Sequence, residues 1–397
     1  MSNENIVSRR NFLTGSALAV AGSTIAGAQT IYAQPKPSEL PDLRIKEVKV
    51  QVTKYKQIAR VITESGIEGN YTLEKRYWHP DWSTDGWLEF AKNALIGKSA
   101  LDRMKIITQY HPMLRRRGQS PWAATIDICL WDILGKAVGL PIYKLLGACK
   151  EKVLAYASTH HLKTVQEFVD LTKQCLEQGF KALKIHPPEL PDGCDYKLDI
   201  EVCKAIRDTA GKDFILLHDP VGIYNRFEAL EVGRVLDQLD YYGYEDPLPT
   251  NDIEGYTELC RNLDVPIHCG EFIFSIYTYS EYIRRGAVDI LRFIVDNIGG
   301  ITAGMKVVHT AECFGMKCEP HNWGDTLEQA AHFHCELAMF NGDFYEMTVP
   351  QGNQDIPYMK DQIRVAKDGY VYAPTKPGMG YEIDWNVLDN NTIEVKQ

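Results

Sequence analysis

Three acidic residues recur at one interval: Asp219, Glu245 and Glu271 stand 26 residues apart each time. Each closes an apolar, strand-like run, in "FILLHD", "YYGYED" and "VPIHCGE". One strand-plus-helix unit of a (β/α)8 barrel takes about 25–40 residues, so the interval is that of one carboxylate from each of three consecutive strands. The C-terminal strand ends of such a barrel converge, and three converging carboxylates repel one another. A hard divalent cation resolves the repulsion, and an all-oxygen set selects Mg2+ or Mn2+ over zinc. The competing reading is three unrelated acids at helix caps or turns. The even repeat and the shared strand-end context favour the metal.

Lys184 and His186 lie in "GFKALKIHPP", on the strand preceding the Asp219 strand. Alternate residues of a strand share a face, so both turn toward the barrel mouth. A positive Lys184 beside His186 disfavours imidazolium and leaves a ring able to accept a proton near pH 7. His321, in "KCEPHNWG", ends a later strand on the opposite side and is a second acid/base candidate. Glu346, in "DFYEMTVP", follows on the last strand. Auxiliary candidates are Asp296, His218 and His161. Tyr71, Tyr77, Trp78, Trp82 and Trp323 are candidate walls for a substrate.

The elements that must position these groups read as an α/β chain. From residue 153 to 365, strand candidates "VLAYAST", "ALKIH", "FILLHD", "YYGYED", "PIHCGE", "ILRFIVD", "KCEPH" and "FYEM" alternate with amphipathic helices, the pattern of a (β/α)8 barrel. Residues 41–152 read as an α+β domain. Its "RIKEVKVQVTKYKQ" alternates like an edge strand, and its "SPWAATIDICLWDILGKAVGLP" forms a helix with Ala124, Ile128, Trp131, Leu134 and Val138 on one face. Residues 366–397, turn-rich, are expected to return to that first domain.

The first 33 residues are separate. "SRRNFL" at 8–13 is a twin-arginine signature, followed by a short apolar stretch and an Ala-Gly-Ala cleavage site at 26–28, with Ala33 a second one. The stretch is too short to span a bilayer and reads as an export signal, which places the mature protein in the periplasm with no membrane insertion. A net charge of −10, with Arg115, Arg116 and Arg117 the one basic run beyond the signal, argues against nucleic acid. The 45% hydrophobic and 24% charged residues are those of an ordinary globular protein. The ten cysteines form no Cys-x-x-Cys pair, so a thiol-built zinc or redox site is not expected. Most read as small buried hydrophobes, and Cys313 with Cys318 is the candidate disulfide.

Taken in order, the segment at 124–133, "GFKALKIH", Asp219, Glu245-Asp246-Pro247, Gly270-Glu271, "GGIT" at 299–302 and His321 resemble the enolase superfamily, in its mandelate racemase-like branch. The resemblance runs from about residue 41 to the C-terminus. It implies a capping domain over a modified (β/α)8 barrel, Mg2+ on the three carboxylates, and removal of the proton α to a substrate carboxylate. It also implies that Glu346, in its protonated form, hydrogen-bonds that carboxylate. The chain departs from the pattern in three places. The second lysine of Lys-x-Lys is His186. Asp-x-Asn is Asp219-Pro220-Val221. Ile294 stands where the family places the aspartate that orients the histidine equivalent to His321. Asp296, of the same strand parity, is the candidate substitute.

An uneven base pair suits elimination of water, which needs one base and one acid, so the leading expectation is an exported Mg2+-dependent sugar-acid dehydratase, acting on a small carboxylate as a homo-oligomer. A racemase, epimerase or cycloisomerase is the alternative. A non-catalytic periplasmic binding protein is the further one, against which the intact constellation argues.

Overall fold

The computed structural model describes residues 40–73, 83–110, 121–190 and 195–397. The export signal, Tyr77, Trp78, Trp82, Arg115, Arg116 and Arg117 lie outside the described residues. None of the helices among those residues is long and apolar enough to cross a membrane.

The N-terminal part is an antiparallel sheet of β1 (Ile45–Thr53), β2 (Gln57–Thr63) and β3 (Glu68–Leu73). In β1 the apolar Ile45, Val48 and Val50 are buried and Glu47 and Lys49 are not, so one face of the strand turns to the core. That face meets α1 (Thr84–Leu95), α3 (Pro121–Val138) covers β2 and β3, and α2 (Arg103–Gln109) packs on α3. Ser83 starts α1 by accepting the Gly86 amide on its hydroxyl.

Helix α3 differs from the one-face expectation. Ala124 and Ile128 are buried, Trp131 and Leu134 only partly, and Val138 is exposed, while Ile126, Cys129, Leu130 and Ile133 on other faces are also buried. The helix lies between β3 and helices of the barrel, so it needs apolar residues nearly all round. Two buried aspartates on it make the cross-connections. Asp127 accepts the amide (2.8 Å) and hydroxyl (2.6 Å) of Thr302. Asp132 accepts the amides of Asn70 (3.0 Å) and Met379 (2.9 Å).

After α4 (Ile142–Leu146) come the barrel strands β4 (Lys152–Ser158), β5 (Ala182–Ile185), β6 (Ile215–His218), β7 (Gly243–Glu245), β8 (Ile267–Cys269), β9 (Ile290–Phe293), β10 (Lys317–Pro320) and β11 (Phe344–Thr348). All eight are parallel, in the order β10-β9-β8-β7-β6-β5-β4-β11, so the last strand pairs back onto the first and the sheet curls into the expected barrel. Helices α5 (Val165–Glu177), α6 (Tyr196–Ala210), α7 (Arg226–Gln238), α8 (Ile253–Asn262), α9 (Ile276–Arg285), α10 (Val295–Ile298), α11 (Ile301–Cys313) and α12 (Thr326–Ala338) make the crossovers. Thr164, Asn225 and Asp325 start α5, α7 and α12 with reciprocal capping boxes. Beyond β11 the chain forms β12 (Tyr370–Tyr372), antiparallel to β4, then α13 (Trp385–Asn390) and β13 (Thr392–Lys396), which pairs with β1.

Inside the barrel, Tyr156, Ala182, Leu217 and Phe344 form an apolar floor separate from the main core. Two residues further along the same strands stand Ser158, Lys184, Asp219 and Glu346, and strand parity turns these to the same side, one layer nearer the mouth. Cys313 is exposed, Cys318 is buried and both are free thiols, so the candidate disulfide between them is not formed; the nine cysteines of the described residues are all unpaired.

Gly300 shows how tightly α3 meets the barrel. Its φ is +97°, and a Cβ there would lie 2.5 Å from Asp127 Oδ2. Gly97 has φ +75° with open space around it. Gly97→Ala therefore loses roughly 1–2 kcal/mol from backbone strain alone. Gly300→Ala is expected to lose at least ~1 kcal/mol more through the collision. Urea unfolding of the two variants beside the wild type measures the difference; equal losses would show that Asp127 yields without cost.

Candidate active site

Strand geometry assembles the acidic triad. Asp219 follows β6, Glu245 ends β7 and Glu271 lies two residues past β8, and one carboxylate oxygen from each falls within 4.8 Å of the others, all buried. Gly270, with φ +140°, lets the chain turn into this position: a Cβ there would sit 2.1 Å from the Arg292 carbonyl oxygen. Asn297 donates its side-chain amide to the Glu271 carbonyl at 2.8 Å. Asp219 accepts the Val221 amide at 3.0 Å.

Two buried cations hold the cluster. Lys184 Nζ lies 2.9 Å from Asp219 Oδ2, 3.0 Å from Glu245 Oε2 and 2.9 Å from Glu346 Oε1. Arg292 reaches Glu245 Oε1 at 2.5 Å and Glu346 Oε2 at 2.8 Å, and donates to the Tyr156 hydroxyl at 3.2 Å. Four carboxylates against these two cations leave a formal charge of two negatives, the charge one divalent cation cancels. Without it the acids are frustrated. Burial, then the repulsion of Asp219 and Asp246, pushes Glu271 up to about 8. Burial likewise drives Glu245 well above the carboxylate range. Burial also opposes ionisation of Asp219, but Lys184 and His186 outweigh it and hold that acid low. Glu271 Oε2 is buried without a hydrogen-bond donor. That unpartnered oxygen, the excess negative charge and an all-oxygen set fit Mg2+ or Mn2+ held by Asp219, Glu245 and Glu271.

Glu346 differs from the expected protonated acid. Burial favours the neutral form, but Lys184, Arg292 and His321 together hold it well below the usual carboxylate range. It is an ionised acceptor, taking hydrogen bonds from Ser158 Oγ (2.8 Å) and Trp323 Nε1 (2.9 Å). Lys184 likewise is not set against His186 alone, because three carboxylates surround its ammonium.

His186 follows β5, buried, with Nε2 3.2 Å from Asp219 Oδ2 and Nδ1 without a partner. The His161 ring is 5.3 Å away and the Trp323 ring 5.7 Å. His161 is anchored at the mouth, Nδ1 to the Pro187 carbonyl at 2.8 Å. His321 sits across the barrel, directly after β10, five strands from β5 in the sheet order, with Nε2 3.8 Å from Glu271 Oε2. Its Nδ1 accepts the backbone N–H of Trp323 at 3.4 Å, which leaves the ring proton on Nε2, facing the acids. Burial holds this imidazole neutral, well below its usual pKa, although Glu346 opposes the shift.

Three candidates are placed elsewhere. Asp296 was the candidate substitute for the missing partner of His321, but β9 ends at Phe293 and Asp296 lies in the first turn of α10, so strand parity does not extend to it. Its carboxylate accepts the Tyr71 hydroxyl at 2.9 and 3.0 Å. Tyr71 is therefore a buried strut between β3 and α10, not an open wall for a substrate. His218 precedes Asp219 and has the opposite parity; it faces outward, 3.0 Å from Asp199 of α6. Arg292, Ser158 and Tyr156 were missed from the sequence, although an arginine inside the apolar run "ILRFIVD" was a signal that one strand carries a charge into the barrel.

The comparisons with known proteins agree with this geometry. Arabinonate dehydratase of Saccharolobus solfataricus is 32% identical over 267 residues, covering 66% of this chain and 70% of that protein. L-talarate/galactarate dehydratase of Salmonella typhimurium is 28% identical over 342 residues, covering 82% of this chain and 80% of that protein. A crystal structure of D-glucarate dehydratase from Agrobacterium tumefaciens complexed with magnesium superposes with a TM-score of 0.81 at 29% identity, covering 89% of this chain and all of that one. Residues 167–387, more than half of the chain, match the model of the enolase C-terminal domain-like family. The chain belongs to that family, within the enolase superfamily.

Proposed function

We propose that the protein is a Mg2+-dependent dehydratase of a sugar acid, a hydro-lyase that removes the proton α to the carboxylate and the β-hydroxyl. The observation that carries the reading is the unequal pair of histidines across the mouth. His321 presents an N–H toward the acids because its Nδ1 is engaged by the Trp323 amide. His186, on the opposite side, keeps a ring nitrogen without a partner. One side is arranged to donate a hydrogen bond and the other to receive a proton.

A divalent cation at Asp219, Glu245 and Glu271 supplies Lewis-acid neutralisation of the charge that builds on the substrate carboxylate. His186 takes the α-proton. The electron pair left on that carbon forms the double bond to the β-carbon as the C–O bond of the β-hydroxyl breaks. His321 Nε2–H hydrogen-bonds the departing oxygen, which takes the proton held by the His186 imidazolium and leaves as water, and the resulting enol becomes a 2-keto-3-deoxy acid. Lys184 and Arg292 fix Glu245 and Glu346, so the acids keep their places as charge develops. The substrate class rests on the sugar-acid dehydratases among the relatives. Mn2+ suits the same oxygen donors. Formation of a 2-keto-3-deoxy acid from an aldonate or aldarate with Mg2+ tests the reading. Deuterium incorporation or epimerisation in D2O without such a product would favour a racemase or epimerase.

Asp219→Ala, Glu245→Ala and Glu271→Ala should each abolish turnover and weaken Mg2+ binding in titration calorimetry. Undiminished affinity in all three would remove the metal assignment.

His186→Ala should eliminate exchange of the substrate α-proton with solvent. His321→Ala should lower turnover by roughly 10²–10⁴-fold yet leave exchange measurable, as for a group acting after abstraction. Exchange lost only in His321→Ala would reverse the two roles.

The "SRRNFL" segment supports export by the twin-arginine route. Arg9→Lys combined with Arg10→Lys should leave the protein in the cytoplasm; an unchanged periplasmic yield on cell fractionation would overturn export by that pair.

A further inference from the structure

Behind the strand that carries Asp219, on the outer face of the barrel, lies a second group of metal-ligating side chains that the reaction does not use. Asp199 and Cys203 stand one turn apart on α6, so they share a face of the helix, and that face meets His218 of β6. One donor atom from each, a carboxylate oxygen, the thiol sulfur and an imidazole nitrogen, falls within 4.8 Å of the others. Asp199 and His218 are wholly buried, and so is Cys203.

The polar atoms of this cluster are not satisfied by the protein. His218 Nε2 lies 3.0 Å from Asp199 Oδ1, but off the line that a hydrogen bond requires. Neither of those atoms, nor His218 Nδ1, has a hydrogen-bond partner. Buried polar atoms in that state are costly, and three in one cluster ask for a common partner. The other Asp199 oxygen accepts the Tyr224 hydroxyl, the kind of outer contact that fixes a ligand carboxylate in place. The rings of Tyr224 and Tyr244 flank the imidazole, with centroids 6.3 and 5.6 Å away, and keep the surroundings apolar.

We propose that Asp199, Cys203 and His218 bind a thiophilic divalent cation of the zinc type, independently of the cation at the barrel mouth. The donor set differs from the mouth triad in the way that separates the two metals. Three carboxylates suit Mg2+, whereas thiolate with imidazole and one carboxylate suits Zn2+ or Co2+. Charge agrees as well, since a thiolate, a carboxylate, a neutral imidazole and a dication sum to zero, the condition under which ions tolerate burial. Such an ion clamps α6 to β6 directly behind Asp219. Its role is structural, with no part in the reaction.

The test uses the full chain, stripped of metal with EDTA and then reloaded with Mg2+ together with Co2+, a spectroscopic stand-in for Zn2+. The expected result is about one Co2+ per chain with a thiolate-to-cobalt charge-transfer band. That band should persist in Glu271→Ala, which dismantles the mouth triad. It should vanish in Cys203→Ser, with cobalt affinity falling at least roughly tenfold. If Cys203→Ser fails to fold, the wild-type and Glu271→Ala spectra decide alone. No charge-transfer band in the wild type would show that the cluster is only a buried histidine–aspartate ion pair. Cobalt that is lost in Glu271→Ala but kept in Cys203→Ser would place the metal at the mouth; either result overturns the proposal.

Discussion

Four carboxylates share the mouth of the barrel with two cations, and that imbalance governs much of the surrounding structure. Asp219, Glu245, Glu271 and Glu346 are buried with Lys184 and Arg292 among them. Burial alone would return the acids to their neutral forms. The protein instead meets each cation with several acids at once, Lys184 with three and Arg292 with two. The result is a negatively charged cage with an unpartnered oxygen on Glu271, in which a dication completes the balance. The same cage explains why Glu346 stays ionised.

Precision at the mouth depends on groups well away from it. Asp127 and Asp132 on α3 bind Thr302, Asn70 and Met379, so this one helix joins the N-terminal sheet, the start of α11 and the C-terminal segment. Tyr71 and Thr72 on β3 bind Asp296 and Asp325, and Asp325 caps the helix that follows the loop carrying His321 and Trp323. Each connection is a buried hydrogen bond to a carboxylate, stronger than a neutral pair and expensive to leave half made. The tether at Tyr71 also removes Asp296 from reach as a simple strand-parity partner of His321. The backbone of Trp323 supplies the orienting contact instead, and it fixes the tautomer that faces the acids.

Much of this was legible in the chain. A barrel repeats its strand-plus-helix unit, so Asp219, Glu245 and Glu271 at equal spacing announced three strand ends converging on one point. The period-two rule placed Lys184 and His186 on one side, and histidine chemistry followed from residue type. Where the same rule was pushed past the end of a strand it failed. Asp296 lies in a helical turn, whereas His218, inside β6 and one residue before Asp219, points the other way as the rule requires. Helix α3 was read as one-sided because periodicity shows which residues can form a stripe, not how many neighbours will cover the helix.

The sequence by itself determined the order of elements, the residues at the strand ends and the hard-cation character of the triad, because these follow from local periodicity and side-chain chemistry. Only the tertiary structure decided how the charges are shared. Arg292 meets Tyr156 from 136 positions away in the chain, and Lys184 meets Glu346 from the far side of the strand that closes the barrel. Curling of the sheet brings these residues together, and no local pattern records which interior charges will face each other. Whether Glu346 is protonated, which nitrogen of His321 carries the proton and where Asp296 is bound are all set by such distant neighbours, through Coulomb interactions and hydrogen bonds that exist only once the barrel has closed.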